Sequence, residues 1–281
     1  MILYCDAYWN DFEKVLPHIV NRESLYGKSV LITGAGGLIC STVCDLLLYL
    51  NRVCSAGIKL YLAGRSQERL EKRFYKFKEG FDWHFVQYDA KSDFSCDKSF
   101  DFIIHGAGYG DPNGIMKEPV ETMLCNFYGT YNLLDFMRRK INGRLLFISS
   151  SEVYGKKTGS EPYTENDYGY VDLLLPRSSY SCSKRAAETL CASFCMEYGV
   201  GALVARPGHI YGPQLTNSDS RVSSDFIRKA KNGEALELHS AGSQMRSYTY
   251  SLDCASALLT ILINGENGTA YNISNKEAIC S

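Results

Sequence analysis

Tyr180 and Lys184 stand four residues apart in YSCSK (180–184), a spacing that puts both side chains on one face of a helix. A phenol ordinarily titrates near pH ~10, and a neighbouring cation favours its ionised form. A phenolate produced that way can take the proton of a substrate hydroxyl. A second stretch, ISSSEVYG (148–155), ends an apolar run at three hydroxyls and a carboxylate, Glu152. Serine is a common loop residue, but three in a row followed by an acid read as hydrogen-bonding groups set over a substrate.

The elements that must carry these groups begin with LITGAGGLIC (31–40), where Gly34, Gly36 and Gly37 fall between an apolar strand, 29–33, and a helix bearing Val43, Leu46, Leu47 and Leu50 on one face. Glycine there allows a tight turn and close approach of backbone to a pyrophosphate. The helix N-terminus then points free N–H groups at that anion. The position where a further glycine usually lets helix and strand pack closely is Cys40, which predicts a slightly wider approach. The second strand, 59–63, ends in Ala63-Gly64-Arg65-Ser66, without the acid that accepts from a ribose 2′-hydroxyl in NAD-selective sites. Arg65 suits a 2′-phosphate or stacks on adenine, which tilts the expectation toward NADP. Asp89, after the third strand, is placed to accept from the adenine amino group. With a positive nicotinamide and the Lys184 ammonium beside it, Tyr180 is expected to be pulled toward neutrality and to deprotonate an alcohol as hydride leaves the same carbon.

Nearly continuous apolar strands alternate with helices: 29–33, 59–63, 84–88, 102–105, 144–148 and 202–205, with helices from near Pro119 and over about 181–198. The pattern predicts an α/β fold, a doubly wound parallel sheet of the Rossmann type, covered on both faces. Residues 1–27 read as an N-terminal extension with a helix at 11–16 and no assigned function, 28–205 as the dinucleotide-binding domain, and 206–281 as a smaller C-terminal substrate lobe.

Thirty basic and 31 acidic residues leave a net charge of −1, so no bulk attraction to nucleic acid or anionic membrane is expected. No signal peptide and no run of eighteen apolar residues is visible, which predicts a cytoplasmic protein. The eleven cysteines contain no CxxC pair and most read as small core residues in a reducing compartment, with no metal site expected and zinc the second reading.

In order and spacing, TGAGGLI, HGAG (105–108), PVETMLCNFYGTYNLL (119–134), SSSEVYG, YSCSK, RPGHIYGP (206–213) and GSQMRSYTYSLD (242–253) resemble the extended short-chain dehydrogenase/reductases, the NAD-dependent epimerase/dehydratase family that modifies nucleotide sugars. The resemblance implies tightly held NAD or NADP, oxidation of the sugar at C4, and return of the hydride after an intervening step. It implies catalytic roles for Ser150, Glu152, Tyr180 and Lys184. Cofactor contacts are implied at Gly34, Gly36, Gly37, Leu38, Ile39, Arg65, Asp89, Ala90, Gly106, Ala107, Gly108, Asn126, Tyr180, Lys184 and Pro207. Substrate contacts are implied at Ser151, His209, Arg221 and Arg246. His209 stands where relatives usually carry asparagine. His105 reads as a structural or cofactor-side residue.

Dehydratases of this group resemble TDE where this chain has Ser150-Ser151-Glu152, so an acid is missing at 151. UDP-glucuronate decarboxylases resemble TSEVYG, which matches better. The leading expectation is therefore UDP-glucuronate decarboxylation, with nucleotide-sugar 4-epimerisation, 4,6-dehydration and a non-catalytic NAD(P)-binding module as alternatives. A homodimer through the helices at about 119–139 and 181–198 is implied. The resembled proteins generally continue past the point corresponding to Ser281.

Overall fold

Short runs such as SVLIT and FIIH bury both faces of their strands, so each strand needs cover above and below. The computed structural model describes residues 4–280 except 141, 142, 158, 160, 215–220, 237–244, 277 and 278. Its elements in chain order begin with α1 (Asp6–Val15), β1 (Ser29–Thr33), α2 (Leu38–Cys54), β2 (Lys59–Gly64), α3 (Gln67–Arg73), β3 (His84–Gln87) and β4 (Phe102–His105). There follow α4 (Pro112–Lys117), α5 (Pro119–Lys140), β5 (Arg144–Ile148), α6 (Ser179–Tyr198) and β6 (Gly201–Pro207). The last are β7 (His209–Tyr211), α7 (Val222–Asn232), β8 (Met245–Arg246), β9 (Tyr248–Tyr250), α8 (Ser251–Asn264), β10 (Ala270–Ile273) and β11 (Ile279–Cys280).

Seven strands form one sheet in the order β3-β2-β1-β4-β5-β6-β10, every pairing parallel. One face carries α2 and α8, with Leu46, Leu47, Leu50, Leu258, Leu259 and Leu262 fully buried beneath them. The other carries α5 and α6 over Leu31, Ile103, Leu145 and Phe147. Strand order reverses between β1 and β4, and at such a switch point the carboxyl ends of the strands open a crevice. No helix among the described residues is long and apolar enough to cross a membrane.

Two expectations need adjusting. The first helix begins at Asp6, not residue 11, because Trp9 and Phe12 pack against Tyr49 of α2 and the hydroxyls of Tyr4 and Tyr8 donate to Asp45 at 2.7 and 2.9 Å. Arg73 closes this buried cluster with an ion pair to Asp45 at 2.6 Å. The stretch 206–281 also does not stand wholly apart from the sheet. β10 adds a seventh strand beside β6, and α8 packs against α2. Helix α8 is apolar on most sides, so only a place in the central layers buries it.

Candidate active site

The turn between β1 and α2 is shaped by backbone. Gly34 has φ +70°, and a Cβ there would come within 2.7 Å of the Gly106 carbonyl carbon, so only glycine lets the β1 and β4 ends touch. Cys40 occupies the expected third-glycine position with its thiol packed directly on Gly106, which itself has no room for a side chain. Helix α2 starts at Leu38 with no side-chain cap, leaving its first N–H groups turned to the crevice.

That crevice is a cleft of about 520 Å³ lined by Gly34, Gly36, Gly37, Leu38, Ile39, Cys40, Arg65, Gly106, Gly108, Ile148, Tyr180, Lys184 and Arg221, among others. A cavity of about 370 Å³ shares the glycines and Arg65 and continues past Asp89, Ala90 and Ala107. The residues expected to hold a dinucleotide thus line one continuous trough, except two. Asn126 sits behind it, fully buried, its amide donating to Ser183 Oγ at 3.0 Å. Pro207 ends β6, buried in the sheet opposite Ile273 and away from the trough's lining.

The site fits a nicotinamide dinucleotide on its own features. Asn126 Oδ1 is buried without a hydrogen-bond partner and faces Gly108, where a Cβ would meet it at 2.5 Å. Buried carbonyl oxygens rarely go unsatisfied, and a ligand reaching over Gly108 would supply the missing donor.

Lys184 is 4% exposed; its ammonium donates to the Ile148 carbonyl at 2.8 Å and lies 5.8 Å from the Tyr180 ring centre. Burial draws it down to about 8, against the pull of Glu188. The protein's own groups do not lower the Tyr180 phenol. Burial pushes it up to about 12, the Ser150 hydroxyl pulls it down by hydrogen bonding, and Glu152 pushes it up. The Lys184 ammonium makes its hydrogen bond to the strand carbonyl, above which the Tyr180 ring lies.

The serine-rich stretch divides between two tasks. Ser150 caps a 3-10 turn, Ser151–Tyr154, its hydroxyl accepting from the Glu152 N–H at 3.2 Å. That turn brings Glu152 beside Tyr180, where Arg177 pairs with it at 2.7 Å. Ser149 instead turns inward and donates to Glu188 at 2.5 Å. Glu188 in turn binds Arg206, whose guanidinium also donates to the Tyr154 hydroxyl at 3.0 Å. Arg185 of α6 donates to the Val153 and Gly169 carbonyls at 2.6 and 2.9 Å. The motif's ends are therefore anchored from below while Ser150 and Glu152 lie beside Tyr180.

On the substrate side, Arg221 lines the cleft and acts electrostatically on Tyr180. His209 stacks obliquely near Tyr248, 5.7 Å between ring centres. Its imidazole is held below its ordinary range by burial and by Arg246, with Glu152 opposing. Glu152, His209, Arg221 and Arg246 thus gather at one end of the trough. Ser151, half-buried in the 3-10 turn, lies in the same segment. His105 is fully buried, bonded through Nδ1 to Thr33 at 2.7 Å and pushed down to about 3 by burial, so it is neutral and structural.

The sequence reading missed Arg177, Arg69, Tyr109 and Gln214, all of which border the site. Arg177 had a local signal, lying three residues before Tyr180 in PRSSY. Gln214 had none; its amide donates to the Tyr8 hydroxyl, 206 residues away.

A glycine-turned parallel sheet with a buried lysine below a tyrosine at its switch point defines a dinucleotide-binding protein of the Rossmann class. The model of the NAD dependent epimerase/dehydratase family matches residues 30–274, and the chain belongs to that family. UDP-glucuronic acid decarboxylase 1 of Danio rerio is 32% identical over 250 residues, 89% of this chain and 57% of that protein. The chain thus spans somewhat more than half the length of that relative. The fold is that of the dTDP-glucose 4,6-dehydratase of Bacillus anthracis, solved with NAD (TM-score 0.74, 20% identity, 90% of this chain and 77% of that one). It matches equally the UDP-glucose 4-epimerase of Thermotoga maritima, solved with UDP-glucose (TM-score 0.74, 20% identity, 89% and 78%).

Proposed function

We propose that the protein decarboxylates UDP-glucuronate with a nicotinamide cofactor. The observation that carries this reading is Glu152, held beside Tyr180 and neutralised by Arg177, with a serine rather than an acid at position 151. The similarity to a UDP-glucuronic acid decarboxylase supports it.

Ser150 hydrogen-bonds the sugar C4 hydroxyl and Tyr180 receives its proton. A nicotinamide dinucleotide held along Gly34, Gly36, Gly37 and Lys184 would supply the acceptor for the C4 hydride and the means of its return. The C4 ketone stands β to the C6 carboxylate, so the C5–C6 bond breaks with its electron pair moving into the carbonyl. Carbon dioxide leaves, and C5 of the enolate takes a proton from water, which Glu152, beside Tyr180, would relay. Because Arg177 balances Glu152, an acidic sugar meets little net repulsion. Tyr180 finally returns its proton to the C4 oxygen. Lys184 holds the nicotinamide ribose and keeps a positive charge near the phenol. Arg221 and Arg246 offer guanidinium forks to the diphosphate, and His209 borders the sugar.

In this reading residues 28–205 hold the cofactor and 206–281 supply most substrate contacts. The described cysteines are free thiols, which suits the cytoplasm. A homodimer is supported by α5, which exposes Val120, Met123, Leu124, Phe127, Tyr128 and Tyr131 along one stripe.

Incubation with UDP-glucuronate, UDP-glucose and dTDP-glucose tests the reading by product analysis. Carbon dioxide and a UDP-pentose from the first substrate alone is the expected result. A 4-keto-6-deoxy sugar, or an epimerised hexose with no pentose, overturns it.

A further inference from the structure

Helix α1 precedes the residues matched by the family model, 30–274, yet it is bonded to the rim of the cleft. Tyr8 is 4% exposed, and its ring meets Phe12 edge-on with 4.8 Å between centres. Its hydroxyl has two partners: it donates to Asp45 Oδ2 at 2.9 Å and accepts from the Gln214 amide. Asp45 is held in turn by Tyr4 and Arg73, so the Tyr8 oxygen is fixed from α2 and α3.

Gln214 lines the cleft with Gly36, Gly37, Leu38 and Arg221. It follows the turn after β7 at Gly212, where a Cβ would collide with Ser251 Oγ and come within 2.9 Å of Gln214 Oε1. Ser251, the first residue of α8, donates to Gln214 Oε1 at 3.2 Å. The carboxamide is thus held at both ends, its nitrogen by α1 and its oxygen by α8. Its orientation follows from Tyr8: the single phenol hydrogen goes to Asp45, so the phenol oxygen must accept from Gln214. A bond from the Tyr250 hydroxyl to Asp11 at 3.1 Å joins α1 to β9 just before α8. One of the two amide hydrogens of Gln214 is left to donate. Its neighbours in the lining, the uncapped start of α2 and the Arg221 guanidinium, are donors as well, and converging donors suit a phosphate oxygen.

We infer that Gln214 donates its remaining amide hydrogen to a diphosphate in the cleft, and that Tyr8 is the positioning residue that aims it. The cleft joins the glycine turn to Arg221, so the diphosphate is that of the dinucleotide or that of the nucleotide sugar. The inference rests on the ligands of the proposed function and is independent of which sugar is transformed.

Calorimetric titration of the dinucleotide-free protein with NAD+ and, separately, with UDP tests it, using the wild type, Tyr8→Phe, Gln214→Ala and the double variant. Gln214→Ala should weaken one ligand by about tenfold, the size of one hydrogen bond to a charged group, and the ligand affected identifies the diphosphate. Tyr8→Phe keeps the ring and should weaken the same ligand by about threefold or more, but add nothing once Gln214 is alanine. An equal effect of Tyr8→Phe in both backgrounds means that Tyr8 acts through the fold at large and overturns the inference. So do equal losses for both ligands in Gln214→Ala, or affinities that stay within about twofold of the wild type there, an outcome that does not depend on how well Tyr8→Phe folds. If the wild type binds neither ligand, the inference falls together with the reading beneath it, whereas carbon dioxide release from UDP-glucuronate with unaltered affinities in Gln214→Ala sinks the inference alone.

Discussion

A phenol raised to about 12 keeps its proton at neutral pH. Tyr180 in the free protein is therefore a poised donor, and it becomes a base when a positive ring and the Lys184 ammonium flank it. Tyr180→Phe should lower turnover by about 10²- to 10⁴-fold, while the dinucleotide still binds, because the ring remains and the rest of the trough is lined by other residues. Retained cofactor read by mass spectrometry, alongside the assay, checks both halves. His105 makes a second residue-scale point. Its folded value of about 3 lies below the ordinary 6.5, so between those values the unfolded chain binds a proton that the folded chain refuses. This contribution to stability is complete above pH 6.5 and is lost as pH falls toward 3. At pH 5 it should leave the protein about 2 kcal/mol less stable than at pH 8. In His105→Gln that portion of the acid sensitivity should vanish, read as a smaller change in urea midpoint between the two pH values.

At the scale of elements, the site depends on strand ends and helix starts that touch through glycine. Gly34→Ala would drive a methyl group into the Gly106 backbone and hold alanine at φ +70°. The expected outcome is a loss of roughly 1–3 kcal/mol from strain together with loss of dinucleotide binding, measured by denaturant unfolding and calorimetry. The 3-10 turn bearing Glu152 is steadied by Arg185 and Arg206, which reach it from α6 and β6. Much of this was legible in the chain: the β1–α2 turn, the strand-helix alternation and the helical face shared by Tyr180 and Lys184 follow from local spacing. Cys40 at the third-glycine position was legible too, and the thiol does rest on Gly106. How deeply the Tyr180 phenol is buried was not, and that burial is what raises it.

For the whole molecule, the exposed stripe on α5 is an apolar face that the single chain leaves uncovered. Val120, Met123, Leu124, Phe127, Tyr128 and Tyr131 recur at helical spacing, beside an α6 whose Met196 is also exposed. Burial of such a stripe against a second copy should give twice the chain mass in light scattering. Leu124→Glu with Tyr128→Glu should reduce it to one chain mass while leaving the circular dichroism spectrum unchanged. The N-terminal segment also belongs to this scale. Tyr4, Tyr8, Asp45 and Arg73 join it to α2 and α3, and Gln214 ties it to the cleft rim.

By itself the chain determined what depends on neighbours within a few turns: which runs are strands, where backbone must turn on glycine, and which two side chains share a helical face. Only the tertiary structure decided which groups meet across long separations. Arg177 neutralises Glu152, Ser149 turns away to Glu188, β10 joins the main sheet, and Arg69 comes to stand beside Arg65 at the trough. Those outcomes depend on how layers pack and where charges are stripped of water, and periodicity along the chain carries no record of either.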